Sequence, residues 1–386
     1  MATKNNQITI AGEIFSSNLG DGVIADSLAY LIHQVAPSFS TGFIDISGNT
    51  DWRVDRTIRT KPSHSIFPPK VETYIRWQLK RKNRNLRVWR NRMKQTSKLI
   101  IGGGQLLMDN DLDFPLKIHA LVREAMQQQL PVHFVACGVN PNWSPIAANM
   151  FRESLLNAES ISVRDIESAE SLRALVPTIN PFVVFDPAIW AAEVYGLGQI
   201  KQSANKIGVG VIDPTSANRR SATQLTESDF IAIWKDIILL LANMGFEVEI
   251  FTNGNPSDYA IALKISEIIN AEATIECPVA ARPTRPIDLA HRISSYSGVI
   301  AARLHACIIS TSYLIPVVGL AWDKKVNSFF RALGKSALSI NLTETCSPKV
   351  IAAFEEAKNS RLDPSSLAEY KASASSAINY LLAASR

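Results

Sequence analysis

Cysteine is scarce and scattered in this chain. The four present, Cys137, Cys277, Cys307 and Cys346, form no Cys-x-x-Cys pair, and the six histidines do not cluster. A zinc site or a disulfide framework is therefore not expected, and reduced cytosolic thiols fit the pattern. No apolar run reaches the ~18 residues that a bilayer span needs. Met1 to Gln7 is polar and lacks a basic stretch followed by an apolar one. No signal peptide is read there, and a cytoplasmic location is expected. The G-x-G-x-x-G fingerprint and the Walker loop are both missing, so a dinucleotide or P-loop site has no support. No short repeat exists, which argues against a solenoid.

Acid is missing from one stretch. Between Arg76 and Lys98 there are ten Lys or Arg residues and no Asp or Glu. The whole chain is +5, so the remainder carries about −5 and the basic balance belongs to one segment. Trp77, Leu79, Leu86, Trp89 and Met93 interrupt this segment, several at helical spacing. A helix packed by its Trp and Leu face, with a solvated basic side, is the favoured explanation. A basic amphipathic helix touching anionic lipid through residues 76–98 is the alternative, and would set the protein at the inner face of the cytoplasmic membrane. Nucleic acid is not expected as a partner, because no nucleic-acid-binding motif accompanies the charge.

What is present is an α/β rhythm. Hydrophobic residues make up 46% of 386, enough for two ordinary cores. Gln7–Ala11, Lys98–Ile101, Pro131–Ala136, Ser160–Val163 and Phe182–Phe185 are short apolar strands followed by turns and helical patterns. The stretch from Ala192 to Asn205 loses this rhythm. Strands then resume at Lys206–Ile212, Phe246–Phe251, Gly298–Ala302 and Pro316–Leu320. Such alternation predicts parallel sheets with ligand loops at the strand C-terminal ends. We expect a Rossmann-like domain over residues 1–195, a linker at 196–205 and a second Rossmann-like domain at 206–386, facing a cleft. The Ala-rich tail from Ser365 predicts a last helix, expected to pack back on the first domain.

The strand ends carry the candidate chemistry. Asn18-Leu19-Gly20-Asp21 sets a turn and a short acid at a helix start; Asp21 either serves a ligand hydroxyl or caps the helix. Gly102-Gly103-Gly104 follows a buried strand. It either brings Gly103 and Gly104 against a phosphate or sugar, or permits tight strand-to-helix packing. Arg164, in Ser162-Val163-Arg164-Asp165, either grips an anion or pairs with Asp165 or Glu167 on the surface. Arg303-Leu304-His305 is the sharpest feature. It joins a buried strand to an apolar helix, where helix amides favour an anion and a histidine can donate a proton. Lys325, just past another strand end, can reach the same anion.

In order along the chain, these segments resemble the polysaccharide pyruvyl transferase family. Asn18-Leu19-Gly20-Asp21, Gly102-Gly103-Gly104-Gln105-Leu106-Leu107, Ser162-Val163-Arg164-Asp165 with Ser168, Asp186-Pro187-Ala188, Arg303-Leu304-His305 and Pro316 to Val326 each look like one of its signatures. This chain departs from the pattern at Gln105, Trp322 and Lys324. The resemblance implies a glycosyltransferase-B-like architecture, with the acceptor on the first domain and the donor on the second. It implies transfer of pyruvate from phosphoenolpyruvate to two hydroxyls of an exopolysaccharide or cell-envelope sugar, free or lipid-linked, as a cyclic ketal, without a metal. His305 would then be the acid and Asp21 the partner of an acceptor hydroxyl. Asn18, Gly103, Gly104, Arg164, Arg303, Leu304 and Lys325 would bind substrates. A glycosyltransferase of the same fold using a nucleotide sugar, and a non-catalytic glycan-binding module, are the competing expectations.

Overall fold

A computed structural model of the chain describes residues 6–52, 67–198, 203–218, 225–272, 275–342 and 347–383. Cys346 and residues 199–202 of the expected linker lie outside the described residues. Two parallel sheets form, one per domain. The first holds β1 (Gln7–Gly12), β2 (Ser40–Asp45), β3 (Thr96–Gly102), β4 (Val132–Cys137), β5 (Ser160–Val163) and β6 (Phe182–Val183), in the order β2-β1-β3-β4-β5-β6. The second holds β7 (Lys206–Gly210), β8 (Glu247–Phe251), β9 (Gly298–Ala301), β10 (Val317–Ala321) and β11 (Ser339–Asn341), in the order β11-β10-β9-β7-β8.

The inner strands are largely apolar because helices cover both faces of each sheet, and polar members such as Thr9 and His133 are bonded across strands to Thr96 and Ser160. Along β3, Ile100 faces one core while Leu99 and Ile101 face the other. Both sheets share one construction. The chain steps outward from β1 to β2 and then places β3 on the opposite side of β1; β7, β8 and β9 repeat this. Where the direction reverses, the loops leaving adjacent strands part and leave a crevice at the strand C-terminal ends.

The domains do not merely face each other. One apolar core runs through both, joining Val23 and Leu28 of helix Gly20–Val35 to Ile189 and to Ile308 and Ile309 of helix Leu304–Ser312. Tyr195 fastens the crossover: its hydroxyl donates to Asp26 Oδ2 at 2.6 Å, and its carbonyl accepts from His291 Nε2 at 2.9 Å. The last helix, Pro364–Ala383, returns to the first domain. Trp190 Nε1 donates to the Lys371 carbonyl at 3.1 Å, and Phe185 stacks on Tyr370 with centroids 4.5 Å apart.

The basic segment belongs to one helical run: Pro69–Arg76, a wide π turn at Trp77–Arg81, and Lys82–Met93. Trp77, Trp89 and Met93 are buried in the first domain's core, so the packed-face explanation holds for them. Lys98 is buried in β3, its ammonium donating to the Leu381 carbonyl at 3.1 Å. Leu79 does not join this face.

Ile378 sits fully buried where the last helix meets the cross-domain core. Ile378→Ala should cost about 2–5 kcal/mol. A lower urea midpoint checks this, and an unchanged midpoint would show that the last helix is not docked there.

Candidate functional site

A cleft of about 440 Å³ opens where the two crevices meet, and Asn18, Asp21, Arg164, Arg303, Leu304, His305 and Lys325 all line it. Seven residues read from strand ends up to 307 positions apart thus converge on one space.

On the first domain, helix Gly20–Val35 begins with Leu19 as its cap residue and no side-chain cap. Asp21 therefore does not cap the helix. It lies in the first turn, accepting from Asn18 Nδ2 at 3.2 Å. Burial raises its carboxyl to about 7; Glu13 adds to the rise, while Lys325 and Arg164 oppose it. Gly103 and Gly104 do not line the cleft. Both have positive φ, and a Cβ on Gly103 would lie 1.9 Å from Ile24 Cγ2. They let the end of β3 press onto the helix beside Asp21, so tight packing explains them, and the following Gln105 and Leu106 reach the cleft instead. Arg164 is buried, its Nη1 donating to Asp186 Oδ2 at 3.3 Å. Of the pairings expected on the surface, the one with Asp165 is present but long, Nε to Oδ2 at 4.0 Å, and Asp165 also caps helix Ile166–Leu175 by accepting from Ser168 N at 2.7 Å, while Glu167 pairs instead with Arg331 of the second domain.

On the second domain, Arg303 is the cap residue of helix Leu304–Ser312 and supplies no side-chain cap. The first amides of a helix have no partner within it, so this end favours an anion. The Arg303 guanidinium grips Asp258 with Nε at 2.9 Å and Nη2 at 2.7 Å. Asp258 is fully buried and also accepts from Asp213 N at 2.9 Å. Two of the five N–H donors of Arg303 are thus committed to fixing its plane. Lys325 turns toward the cleft, its Nζ 4.8 Å from the Trp322 ring centroid, while Lys324 points to solvent. Trp322 is itself anchored, Nε1 donating to the Ala302 carbonyl at 2.8 Å.

His305 joins the two halves. It is 7% exposed and its ring presses on the first domain: a Cβ on Gly20 would lie 2.2 Å from His305 Nδ1. Its Nε2 has no hydrogen-bond partner among the described residues and lies 3.9 Å from Asp186 Oδ2. Burial pushes the imidazole down to about 4; Asp186 resists, and Arg164, Lys325 and Arg303 push it further down.

Three acids of the site had no role in the sequence reading, although Asp186 stood in one of its signatures. Asp186 sits between Arg164 and His305, and its signal was available as the strand-end Asp-Pro. Asp258 anchors Arg303 across 45 residues, with no local signal. Glu13 lines the cleft, held by buried Lys117 at 3.1 Å. The described cysteines line no part of the cleft: Cys137, Cys277 and Cys307 are buried, and burial pushes each thiol up to about 12.

The sequence model of the polysaccharide pyruvyl transferase family matches residues 18–324. That span begins at Asn18 and takes in Asp21, Arg164, Arg303 and His305. The chain belongs to this family. It is therefore a transferase of the polysaccharide pyruvyl type. No curated protein matches its sequence. Among solved structures, it is similar to the UDP-GlcNAc 2-epimerase of Methanocaldococcus jannaschii at 9% identity and TM-score 0.59, over 97% of this chain and 99% of that one. It is also similar to S. aureus MnaA solved with UDP, at 13% identity and TM-score 0.55, over 96% and 91% of the two chains. At such identities the likeness concerns the fold, which is glycosyltransferase-B-like.

Gly20→Ala should displace His305 and lower turnover at least about tenfold, as small misplacements of reacting groups do. Steady-state rates with a folded variant check this; wild-type rates would mean the ring is not held by that contact. Asp21 makes a second prediction. Its carboxyl keeps a proton to about pH 7 in the fold and to 3.8 in the ordinary state, so ionising it costs stability above pH 7, and the cost fades as pH falls toward 3.8. Asp21→Asn should melt higher than wild type at alkaline pH, with the gap closing as pH drops through that window. A gap independent of pH would contradict the raised carboxyl.

Proposed function

We infer that this transferase moves pyruvate from phosphoenolpyruvate onto two hydroxyls of an envelope or exopolysaccharide sugar, forming a ketal and releasing phosphate. One observation carries this: Arg164, Arg303 and Lys325 surround a buried histidine at an uncapped helix start. Phosphoenolpyruvate bears a carboxylate and a phosphate on a small frame, and such a cluster suits both. The other side of the cleft is amide-rich, with Asn18, Gln105, Asn110, Asn140 and Asn142 beside Phe114, and its acids Glu13 and Asp109 are paired with Lys117 and Lys70. Amides and one aromatic face suit sugar hydroxyls and a sugar ring.

The proton count fits an acid and a base working together. The vinyl methylene gains a proton and C2 becomes cationic. One sugar hydroxyl bonds to C2; the bond from C2 to the phosphate oxygen breaks, its electron pair leaving with phosphate; the second hydroxyl then bonds to C2. Of the two hydroxyl protons, one is balanced by the new methyl group and the other by the phosphate. Asp21, raised to about 7, is poised to accept a hydroxyl proton near neutral pH. His305 is held neutral by burial and by three cations. A bound donor would offset those cations, allowing the imidazole to gain a proton and deliver it to the methylene carbon.

The test is phosphate release from phosphoenolpyruvate with a panel of galactosides, glucosides and mannosides. His305→Ala should cut turnover by about 100-fold or more with little change in the phosphoenolpyruvate requirement. Lys325→Gln should mainly raise that requirement. Arg303 substitutions should lose stability as well, because they leave Asp258 buried and unpaired. Near-wild-type turnover in His305→Ala would remove it as the acid. Thermal stabilisation by UDP- or GDP-sugars, and none by phosphoenolpyruvate, would replace this function with glycosyl transfer.

A further inference from the structure

The helical run from Pro69 to Met93 leaves a ridge that nothing covers among the described residues. Val71, Ile75 and Leu79 follow at four-residue steps and are exposed, Leu79 to 77%. Asn83, Arg87 and Asn91 continue the same steps and are exposed too. The ridge is apolar at its start and polar to basic at its end. Tyr74 flanks the apolar half; Arg84, Arg92 and Lys94 flank the basic half, all exposed. The acids nearby are spent on the inner side. Asp109 pairs with Lys70 at 2.9 Å, Asp113 with Arg81 at 3.2 Å and Glu124 with Arg90 at 2.8 Å, while Glu72 pairs with Arg76. Arg84, Arg87, Arg92 and Lys94 have no acidic partner among the described residues.

We propose that this ridge docks on the surface of an anionic phospholipid bilayer, Val71, Ile75 and Leu79 entering the headgroup boundary and Arg84, Arg87, Arg92 and Lys94 meeting lipid phosphates. Charge complementarity selects the partner: an apolar strip beside unpaired cations, with no exposed acid between Trp77 and Lys98, matches a negative, partly apolar surface. A fully aqueous polyanion would gain nothing from Leu79. No helix among the described residues is long and apolar enough to cross a membrane, so the contact is peripheral.

The ridge is bonded to the wall of the cleft. Lys70 holds Asp109, which lines the cleft. Arg81 holds Asp113, which pairs with Lys117 at 2.6 Å, and Lys117 holds the cleft residue Glu13. Docking would therefore bring the amide-rich side of the cleft toward the lipid, where a lipid-linked sugar could reach it. Only that last consequence rests on the proposed transfer; the docking surface stands without it.

The full chain is spun down with vesicles of neutral phosphatidylcholine and with vesicles containing phosphatidylglycerol, at low and high salt. Binding should need the anionic lipid, weaken with salt, and fall at least about tenfold in Leu79→Glu and in the double variant Arg84→Glu/Arg87→Glu. Inorganic phosphate should not compete. These side chains are exposed, so the melting transition and phosphate release with a soluble sugar should stay as in wild type. Leu79→Ser and Arg84→Gln serve if a charge reversal fails to fold. Equal binding to neutral vesicles, or full binding by folded Leu79 variants, overturns the proposal. So does salt-sensitive binding to an RNA oligomer that ignores Leu79, or a dimer that Leu79→Glu abolishes in a chain that binds no vesicle. Loss of phosphate release with intact vesicle binding would sink the transfer function and leave the docking surface standing.

Discussion

His305 occupies its place only because residue 20 has no side chain. The ring lies where a Cβ would sit, so the start of helix Leu304–Ser312 meets the start of helix Gly20–Val35 directly. The meeting is reinforced on each side. Leu19 N donates to the Asn253 carbonyl at 2.9 Å across the domains, and the shared apolar core lies behind both helices. The floor of the cleft is therefore a packed interface rather than a free hinge, and interfaces of that kind hold reacting groups more closely than loops do.

Packing at the floor explains the charges there. Burial disfavours ionisation of acids and bases alike, so it raises Asp21 to about 7 and lowers His305 to about 4. In water the carboxyl would be the anion and the imidazole the group near neutrality. Here the order is reversed: the carboxyl is the group near neutrality, and the imidazole stays neutral. Such opposed shifts are how neighbouring groups come to divide acid and base work. The Nε2 of His305, without a hydrogen-bond partner among the described residues, belongs to the same account. A buried nitrogen without a partner costs stability, and His305 lines the cleft, where a ligand could supply one.

The central strands were legible because parallel strands covered on both faces are continuous apolar runs, and Ser160–Val163 even has the expected bounds. Two of the edge strands, β2 and β11, were not. β2, Ser-Thr-Gly-Phe-Ile-Asp, is half exposed, and β11 has three residues. The site was legible where chemistry sits at strand ends, as with Arg164, Arg303 and His305. It was not where a residue's role depends on a distant partner. Nothing near Asp258 announces that it holds Arg303, and nothing near Glu13 announces Lys117. Gly103 and Gly104 show the opposite limit: a glycine run marks close approach without saying what approaches, and here it is Ile24. In the basic segment the periodicity placed Trp77, Trp89 and Met93 together but could not separate Leu79 from them, because the π turn at Trp77–Arg81 changes the phase of the helix.

The two walls of the cleft differ in what their charges can do. On the amide-rich wall they are locked. Burial would raise Asp109, but hydrogen bonds from Lys70, Ser144 and Leu112 hold its carboxyl down to about 2. Lys117 is buried too, yet Glu13 and Asp113 keep its ammonium above the ordinary value. Neither group can change charge near neutral pH, so this wall keeps one shape and one field whatever occupies the cleft. At the floor, the cations beside Asp21 do not offset its burial, so its proton exchanges near neutral pH, while burial and three cations keep His305 neutral. A rigid wall for a neutral, hydroxyl-rich ligand and a titratable floor for an anion is the division of labour that a transfer between the two requires. Because the rigid wall draws its locking cations Lys70 and Arg81 from the helix that also carries the exposed ridge, its geometry is set by the surface of the protein as much as by its core.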